Sequence, residues 1–138
     1  MALLSSRKLE LTSMPTLLIV DDDAAIRGVL LDFFSDKYEC NTASTAEEAI
    51  EFLEIEVYDA VITDISMPGL DGINLLKRIQ LKDLPTPVIL ISGKGQEQDS
   101  DSLIRLGAFA YITKPFNLDE VERVVREAIA PYASDFTM

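Results

Sequence analysis

The sequence DAVITDISMPGLDG, residues 59–72, decides the fold. Its apolar, β-branched first half is typical of a strand that is buried on both faces of a parallel sheet. Asp64 ends this run, and the following Met67-Pro68-Gly69 segment is typical of a turn. Asp71 then stands where a helix N-cap is expected, before a segment with helical apolar spacing. The stretch therefore predicts a strand, a turn and a helix, with a carboxylate where the strand ends.

Similar apolar runs recur at nearly even spacing along the chain. Together with the run above, they occupy residues 16–20, 38–42, 59–63, 87–91 and 109–113. Segments with helical periodicity separate them, which is the pattern of βαβ units around a parallel sheet. The run at 38–42 alternates apolar with polar residues and is therefore placed at an edge. We expect an α/β fold: a flavodoxin-like, doubly wound, five-stranded parallel sheet of order 2-1-3-4-5, with helices on both faces.

Several helix boundaries are also predicted. Ser44 with Glu47, and Asn117 with Glu120, have the spacing of N-cap pairs. The helix expected over residues 96–106 has the thinnest apolar stripe, and the last helix is expected to end before residue 131. Positive φ angles at turns and helix ends are expected of three glycines: Gly69, Gly72 and Gly107.

Composition excludes several classes of function. The 138 residues include 12 Lys+Arg and 24 Asp+Glu, a net charge of −12, so direct binding of a nucleic acid by this chain is not expected. Histidine is absent and Cys40 is the single cysteine, which excludes histidine-based catalysis, an internal disulfide and cysteine-rich zinc sites. No apolar run approaches the ~20 residues of a membrane span. We expect a cytoplasmic protein that does not enter a membrane.

The length predicts one domain, over residues 15–130. Residues 1–14 are interpreted as a flexible N-terminal extension or a cloning remnant, because Met14 could equally serve as a natural start. Residues 131–138 are interpreted as a C-terminal tail or the beginning of a linker.

Polar side chains follow four of the five predicted strands. They are Asp21, Asp22 and Asp23 after the first strand, Asp64 after the third, Ser92 after the fourth and Lys114 after the fifth. Because the carboxyl ends of parallel strands meet at one edge of a sheet, we expect these groups to converge there. Asp23 alone is expected to be an N-cap or a solvated residue, since the whole triplet cannot point inward.

This set of groups indicates a chemistry. Carboxylates crowded into a partly buried cleft require a cation, and ligands that are all oxygen favour Mg²⁺. A carboxylate facing a Mg²⁺-bound phosphoryl group is a competent nucleophile and forms an acyl phosphate. Lys114 would add positive charge against the transferred group, and Ser92 could donate its hydroxyl to a phosphoryl oxygen.

The motifs resemble those of the receiver domain of two-component response regulators. The likeness covers residues 15–130. It rests on the stretch 59–72 and on three further segments: Ile19-Val20-Asp21-Asp22-Asp23, Val88-Ile89-Leu90-Ile91-Ser92-Gly93, and Gly107-Ala108-Phe109-Ala110-Tyr111-Ile112-Thr113-Lys114-Pro115-Phe116.

The resemblance implies the residues of a phosphorylation site. Asp64 would accept a phosphoryl group from the phosphohistidine of a sensor histidine kinase or phosphotransfer protein. Asp21, Asp22 and Asp64, with the backbone carbonyl of Ser66, would hold Mg²⁺ or Mn²⁺, and Asp22 would be the more direct ligand of the first pair. Lys114 would pair with the phosphoryl oxygens, and its bond to Pro115 would be cis.

The resemblance also implies a switch. Ser92 would move inward on phosphorylation, Tyr111 would follow, and residues 96–130 would form the output surface for an output domain, an effector protein or a homodimer. Ser66 and Lys94 would modulate the lifetime of the phosphoryl group. Self-phosphorylation and self-dephosphorylation would be the only chemistry of the chain, so it is not expected to be an enzyme.

Two other functions stay open. One is a phosphohydrolase of the aspartate-nucleophile type, in which Asp21 would be the nucleophile of an Asp21-x-Asp23 motif. Ala25 stands where that family has Thr or Val, and the chain has no inserted segment that could cap a substrate. The other is a receiver-shaped binding module that no longer takes phosphate, although the complete set of polar groups argues against it.

Overall fold

A computed structural model describes residues 14–93 and 100–136. Five strands alternate with five helices in the described part of the chain. In chain order they are β1 (Thr16–Val20), α1 (Ala24–Phe34), β2 (Glu39–Ala43), α2 (Ala46–Ile55), β3 (Ala60–Asp64), α3 (Gly72–Leu81), β4 (Val88–Ser92), α4 (Ser100–Arg105), β5 (Ala110–Thr113) and α5 (Leu118–Phe136).

The strands form one parallel sheet in the order β2-β1-β3-β4-β5, which confirms the predicted topology. Every residue of β1, β3 and β4 is buried, as the continuous apolar runs predicted for interior strands. β2 lies at the edge, where only Ala43 is fully buried. The alternation of polar residues in this strand therefore reflects its partial exposure.

Helices cover both faces of the sheet because successive strand residues point to opposite sides. Leu18 and Val20 of β1 join a core with α2, α3 and α4 on one face. Leu17 and Ile19 join the core with α1 and α5 on the other face. Within the described residues, no helix combines the length and the apolarity that a bilayer crossing requires.

The predicted N-caps are confirmed in all but one case. The Asp71 carboxylate accepts a hydrogen bond from the backbone N–H of Asn74, and Asn117 accepts one from that of Asp119. The pairing of Ser44 with Glu47 was wrong by one position. Thr45 caps α2 by accepting from the backbone N–H of Glu48, because the helix begins at Ala46.

Two of the three glycines predicted to have positive φ do so, one in the turn before α3 and one at the end of α4. Gly69 and Gly107 have φ angles of 77° and 112°. Gly107 ends α4 in a Schellman motif. The N–H of Gly107 bonds to the carbonyl of Ile104, and the N–H of Ala108 bonds to the carbonyl of Leu103.

This end of α4 is also joined to α3. The Gln80 side-chain amide donates to the carbonyl of Leu106, and a Cβ on Gly107 would overlap that amide. Asp83, which the sequence reasoning did not single out, takes a left-handed φ of 59° after α3. An aspartate tolerates this conformation better than most residues with a side chain.

The prediction for Gly72 was wrong, since its φ is not positive. An added Cβ would instead lie 2.3 Å from the backbone oxygen of Asp64. The N–H of Gly72 bonds to the carbonyl of Ile65, so the beginning of α3 packs directly against the end of β3. Glycine is therefore required at this position by the close approach of two backbones.

Two helices differ from the prediction in length. The described part of α4 is Ser100–Arg105, and the rest of the expected beginning, together with Lys94, lies outside the described residues. α5 extends to Phe136 rather than ending before Pro131. Pro131 lacks the N–H that would continue the hydrogen-bond ladder, but the fixed φ of proline is compatible with helical backbone.

We expect Gly72→Ala to lower the free energy of unfolding by about 1–3 kcal/mol, because the methyl group would force two backbones apart. The matched control is Gly28→Ala in α1, where an added Cβ meets nothing within 4 Å. This control should raise stability by about 0.5–1 kcal/mol, since alanine favours helix over glycine. Urea unfolding followed by circular dichroism measures both, and equal stabilisation by the two substitutions would contradict the packing argument.

Candidate functional site

Four of the polar groups predicted to converge meet at the carboxyl edge of the sheet: those of Asp21, Asp22, Asp64 and Lys114. Asp64 is the last residue of β3 and pairs with Ile91 of β4. Ser92, the last residue of β4, pairs with Thr113, and its carbonyl accepts a 2.7 Å hydrogen bond from the backbone N–H of Lys114. The strand register therefore places β1, β3, β4 and β5 side by side with their functional residues at one level.

Three carboxylates form the centre of the site. Asp21, Asp22 and Asp64 each offer one oxygen, and these oxygens lie within 4.8 Å of one another. Asp21 and Asp64 are buried, whereas Asp22 is exposed. An all-oxygen set at this spacing suits a hard divalent cation that keeps some of its water.

Lys114 lies between the two buried carboxylates. Its Nζ is 3.2 Å from Oδ2 of Asp21 and 3.5 Å from Oδ2 of Asp64. The Lys114–Pro115 bond is cis, as the resemblance implied. A single ammonium thus contacts carboxylates that come from two different strands.

The charges perturb one another. Burial raises the pKa of Asp64, and the neighbouring Asp21 raises it further, while Lys114 and the backbone N–H of Ser66 oppose the shift. Burial alone lowers the pKa of Lys114, but Asp21 and Asp64 together raise it above its ordinary value. The site therefore holds more negative charge than one ammonium balances.

One oxygen of Asp64 is left without a partner. Among the described residues, Oδ1 of Asp64 is the single buried side-chain polar atom with no hydrogen bond. A buried carboxylate oxygen without a partner is costly, and a bound cation would satisfy it. The donor set, its spacing and this oxygen together fit a metal such as Mg²⁺.

Asp21 is held in place by its neighbours. Its Oδ1 accepts a hydrogen bond from the backbone N–H of Asp23, and its Oδ2 faces Lys114. Asp23 in turn caps α1 by accepting from the backbone N–H of Ala25. Asp23 is therefore an N-cap, as expected, and it has no place in the carboxylate group.

The remaining predicted residues that the structure describes differ in their burial. Ser92 is fully buried, and its hydroxyl donates to the carbonyl of Gly93 at 3.3 Å. Tyr111 is half-buried against the core on the α2–α3–α4 face. Ser66 is exposed beside Asp64, and Lys94 is outside the described residues.

Sequence reasoning missed Arg27. Its guanidinium Nη1 donates to the backbone carbonyl of Asp21 at 2.7 Å. The one available signal was a basic residue in the second turn of a helix that follows three aspartates. Such a residue is ordinarily solvated, so the pattern alone does not distinguish it.

The family model and the curated relatives that match this chain all indicate the same protein family. The model of the response regulator receiver domain matches residues 17–126. The DNA-binding transcriptional regulator NtrC of Klebsiella pneumoniae is 36% identical over 115 residues, which cover 83% of this chain and 24% of the relative. The transcriptional regulatory protein DltR of Streptococcus agalactiae is 35% identical over 111 residues, 80% of this chain and 50% of the relative.

Solved structures agree with this result. The receiver domain of the Francisella response regulator 1452 superposes with a TM-score of 0.79 at 30% identity, covering 86% of this chain and 98% of that one. The chain belongs to the response regulator receiver domain family, whose members are signalling switches of two-component systems. It spans between about a quarter and half of the length of the curated relatives above.

The raised pKa of Asp64 predicts a pH-dependent stability. Between its ordinary value of 3.8 and the raised value, the folded protein binds more protons than the unfolded chain, so stability falls as pH rises through this window. Asp64→Asn removes the buried charge. In metal-free buffer, we expect this variant to unfold at higher urea than the wild type at neutral pH, with a difference that shrinks towards pH ~4.

Asp32→Asn is the matched control, because it makes the same change at an exposed position of α1. It should give no comparable gain in the urea midpoint. An Asp64→Asn variant that is no more stable than the wild type at neutral pH would contradict the assignment of an uncompensated buried charge.

Proposed function

We propose that Asp64 accepts a phosphoryl group from the phosphohistidine of a sensor histidine kinase or a phosphotransfer protein. The chain would then act as a phosphorylation-controlled switch in two-component signalling. The comparisons support the family and the switch class, and the arrangement around Asp64 supports the acceptor role. Self-phosphorylation and self-dephosphorylation are the only chemistry proposed for the chain itself.

The observation that carries the proposal is the contrast between the two buried carboxylates. Both oxygens of Asp21 are engaged, one by the N–H of Asp23 and one by Lys114. Asp64 keeps an oxygen with no partner while its other oxygen lies 3.5 Å from Lys114. Asp64 is therefore the carboxylate with an oxygen available to attack phosphorus, which favours it over Asp21 as the nucleophile.

Asp21, Asp22 and Asp64, together with the backbone carbonyl of Ser66, are the groups that would hold Mg²⁺ or Mn²⁺. A bound divalent ion neutralises the carboxylates and the phosphoryl oxygens, so that two anionic groups can approach. In the transfer, a carboxylate oxygen of Asp64 forms a bond to phosphorus as the bond from phosphorus to the histidine nitrogen breaks. Lys114 supplies a positive charge for the phosphoryl oxygens.

The response to phosphorylation would pass through Ser92 and Tyr111 to the surface formed by α4, β5 and α5. The buried Ser92 hydroxyl now bonds weakly to the next residue, so exchanging that bond for a phosphoryl oxygen costs little. α4 contributes one buried residue, Leu103, among its described residues. An element with so few buried contacts has low local stability and is suited to a switch.

The same surface is proposed to meet an output domain or effector protein, or a second copy after phosphorylation. Ser66 and Lys94 are proposed to modulate the phosphoryl lifetime. We also propose that residues 15–130 act as the receiver unit in the cytoplasm, preceded by an extension (1–14). Residues 131–138, into which α5 continues as far as Phe136, would begin a tail or linker. The net charge of −12 argues against nucleic-acid contact by this chain itself.

We expect wild-type protein with a small acyl-phosphate donor and Mg²⁺ to acquire one phosphoryl group, and Asp64→Asn to acquire none. The amide lacks the nucleophilic charge of the carboxylate while keeping its shape. Intact-mass spectrometry measures the product, and borohydride trapping of the acyl phosphate followed by peptide mapping identifies the residue.

Chelation of the metal should also abolish labelling of the wild type. Labelling at Asp21 would instead support the aspartate-nucleophile phosphohydrolase, and absence of labelling in the wild type would support a binding module that takes no phosphate. Either result would overturn the acceptor assignment.

A cleft beside Lys114 offers a surface for the protein donor. It has a volume of about 540 Å³ and is lined mainly by apolar side chains, among them Ile26, Val29, Phe116 and Leu118. Val29 is 48% exposed, so its side chain is accessible for apolar contact with a partner protein. The cleft lies between α1 and the loop from β5 to α5, next to the ammonium that faces Asp64. A donor helix seated there would bring its histidine close to the acceptor.

We expect Val29→Glu to slow transfer from a phosphorylated histidine kinase or phosphotransfer protein by roughly tenfold, because a charge replaces apolar contact area. Labelling by the small donor should stay unchanged, since the substitution leaves the carboxylates intact. Ile55→Glu at the end of α2, where Ile55 is 79% exposed, is the matched control and should affect neither donor. Equal slowing with both donors would show damage to the site rather than loss of docking.

A further inference from the structure

Arg27 makes a contact that joins α1 to the end of β1. Its Nη1 donates to the carbonyl of Asp21 at 2.7 Å, across six residues of chain, and the side chain is half-buried. Arg123 and Arg126 of α5 instead pair with glutamates four residues away. Among the described residues, Arg27 forms no ion pair, so its guanidinium is committed to a backbone oxygen.

Two opposing electrostatic effects act on Arg27. It lies near the amino end of α1, where the helix dipole disfavours a cation, whereas the aspartates at positions 21–23 favour one. A hydrogen bond from a charged donor is stronger than a neutral one and compensates for this location. The contact ties Arg27 to the end of β1, directly beside the carboxylate group.

The carbonyl that Arg27 holds belongs to the peptide linking Asp21 to Asp22. Its orientation sets the direction in which the chain leaves Asp21, and hence where the Asp22 carboxylate lies. Asp22 is exposed and makes no side-chain hydrogen bond with any described residue, so its backbone is what positions it. Asp21, by contrast, is also held through both carboxylate oxygens.

We propose that Arg27 is a positioning residue that fixes the Asp21–Asp22 peptide and keeps the carboxylates of Asp21 and Asp22 at the spacing a divalent cation needs. The inference rests on the proposed function, since it concerns the metal ligands of that site. Groups that orient metal ligands commonly affect metal affinity by about 10–100-fold. Arg27 acts here through a backbone carbonyl rather than through a ligand atom.

Removing the Arg27 side chain would affect the affinity for Mg²⁺ in two opposite ways. Removing a cation near three carboxylates would by itself strengthen the binding of Mg²⁺, because a repulsion is lost. Removing a positioning contact weakens binding, because the ligands lose their arrangement. We therefore expect Arg27→Ala to raise the Mg²⁺ dissociation constant about tenfold.

Titration calorimetry with Mg²⁺ alone tests this on the full chain. Arg27→Lys keeps the charge and a donor and should lose less affinity than Arg27→Ala, and it serves if the alanine variant folds poorly. Arg126→Ala on the exposed face of α5 is the control and should bind as the wild type does. In metal-free protein, Arg27→Ala should also speed hydrogen exchange at the backbone N–H of Asp23, which bonds to Asp21.

Unchanged or tighter Mg²⁺ binding by Arg27→Ala would overturn the proposal, even if that variant melts at a lower temperature. A wild-type protein that does not bind Mg²⁺ would instead overturn the metal site and the proposed function with it. If the wild type binds Mg²⁺ and is labelled, and Arg27→Ala binds Mg²⁺ with the same affinity, only the role of Arg27 is overturned.

Discussion

The arrangement of the carboxyl edge depends on the ion pairs of Lys114. This single ammonium faces two buried carboxylates, at 3.2 Å from Asp21 and 3.5 Å from Asp64. It offsets part of the cost of burying them, but it cannot balance both, and Asp22 adds a third negative charge nearby. Burial is the main reason that the pKa of Asp64 is raised, and the neighbouring Asp21 raises it further. The capacity of the site for a cation follows from the excess of negative charge.

Parallel strand geometry explains why the fold and most of the site could be predicted from the sequence. Strands that run in one direction bring their carboxyl ends to one edge, so residues far apart in sequence meet once the strand order is known. Asp21, Asp64, Ser92 and Lys114 each stand at the end of a short apolar run that alternates with segments of helical periodicity. The edge position of β2 could be predicted because its polar residues would be costly in the interior.

The features that escaped prediction depend on packing distances rather than on patterns. Gly72 was taken for a turn glycine, but it is required by the approach of α3 to the backbone of Asp64. The cap of α2 lies at Thr45 because adjacent hydroxyl residues offer two registers that the sequence does not separate. The contact from Arg27 to Asp21 arises only when the first helix turns back over the end of β1. Each needs three-dimensional coordinates, because composition and periodicity do not record which backbone oxygen a side chain reaches.

The carboxyl end of α4 is held more firmly than a short helix would suggest. The Schellman motif at Gly107 closes its last turn, and the Gln80 amide binds that turn to α3. These attachments lie at the end that leads into β5, whereas the other end follows the segment after Ser92. A displacement of α4 that broke neither attachment would leave its junction with β5 in place.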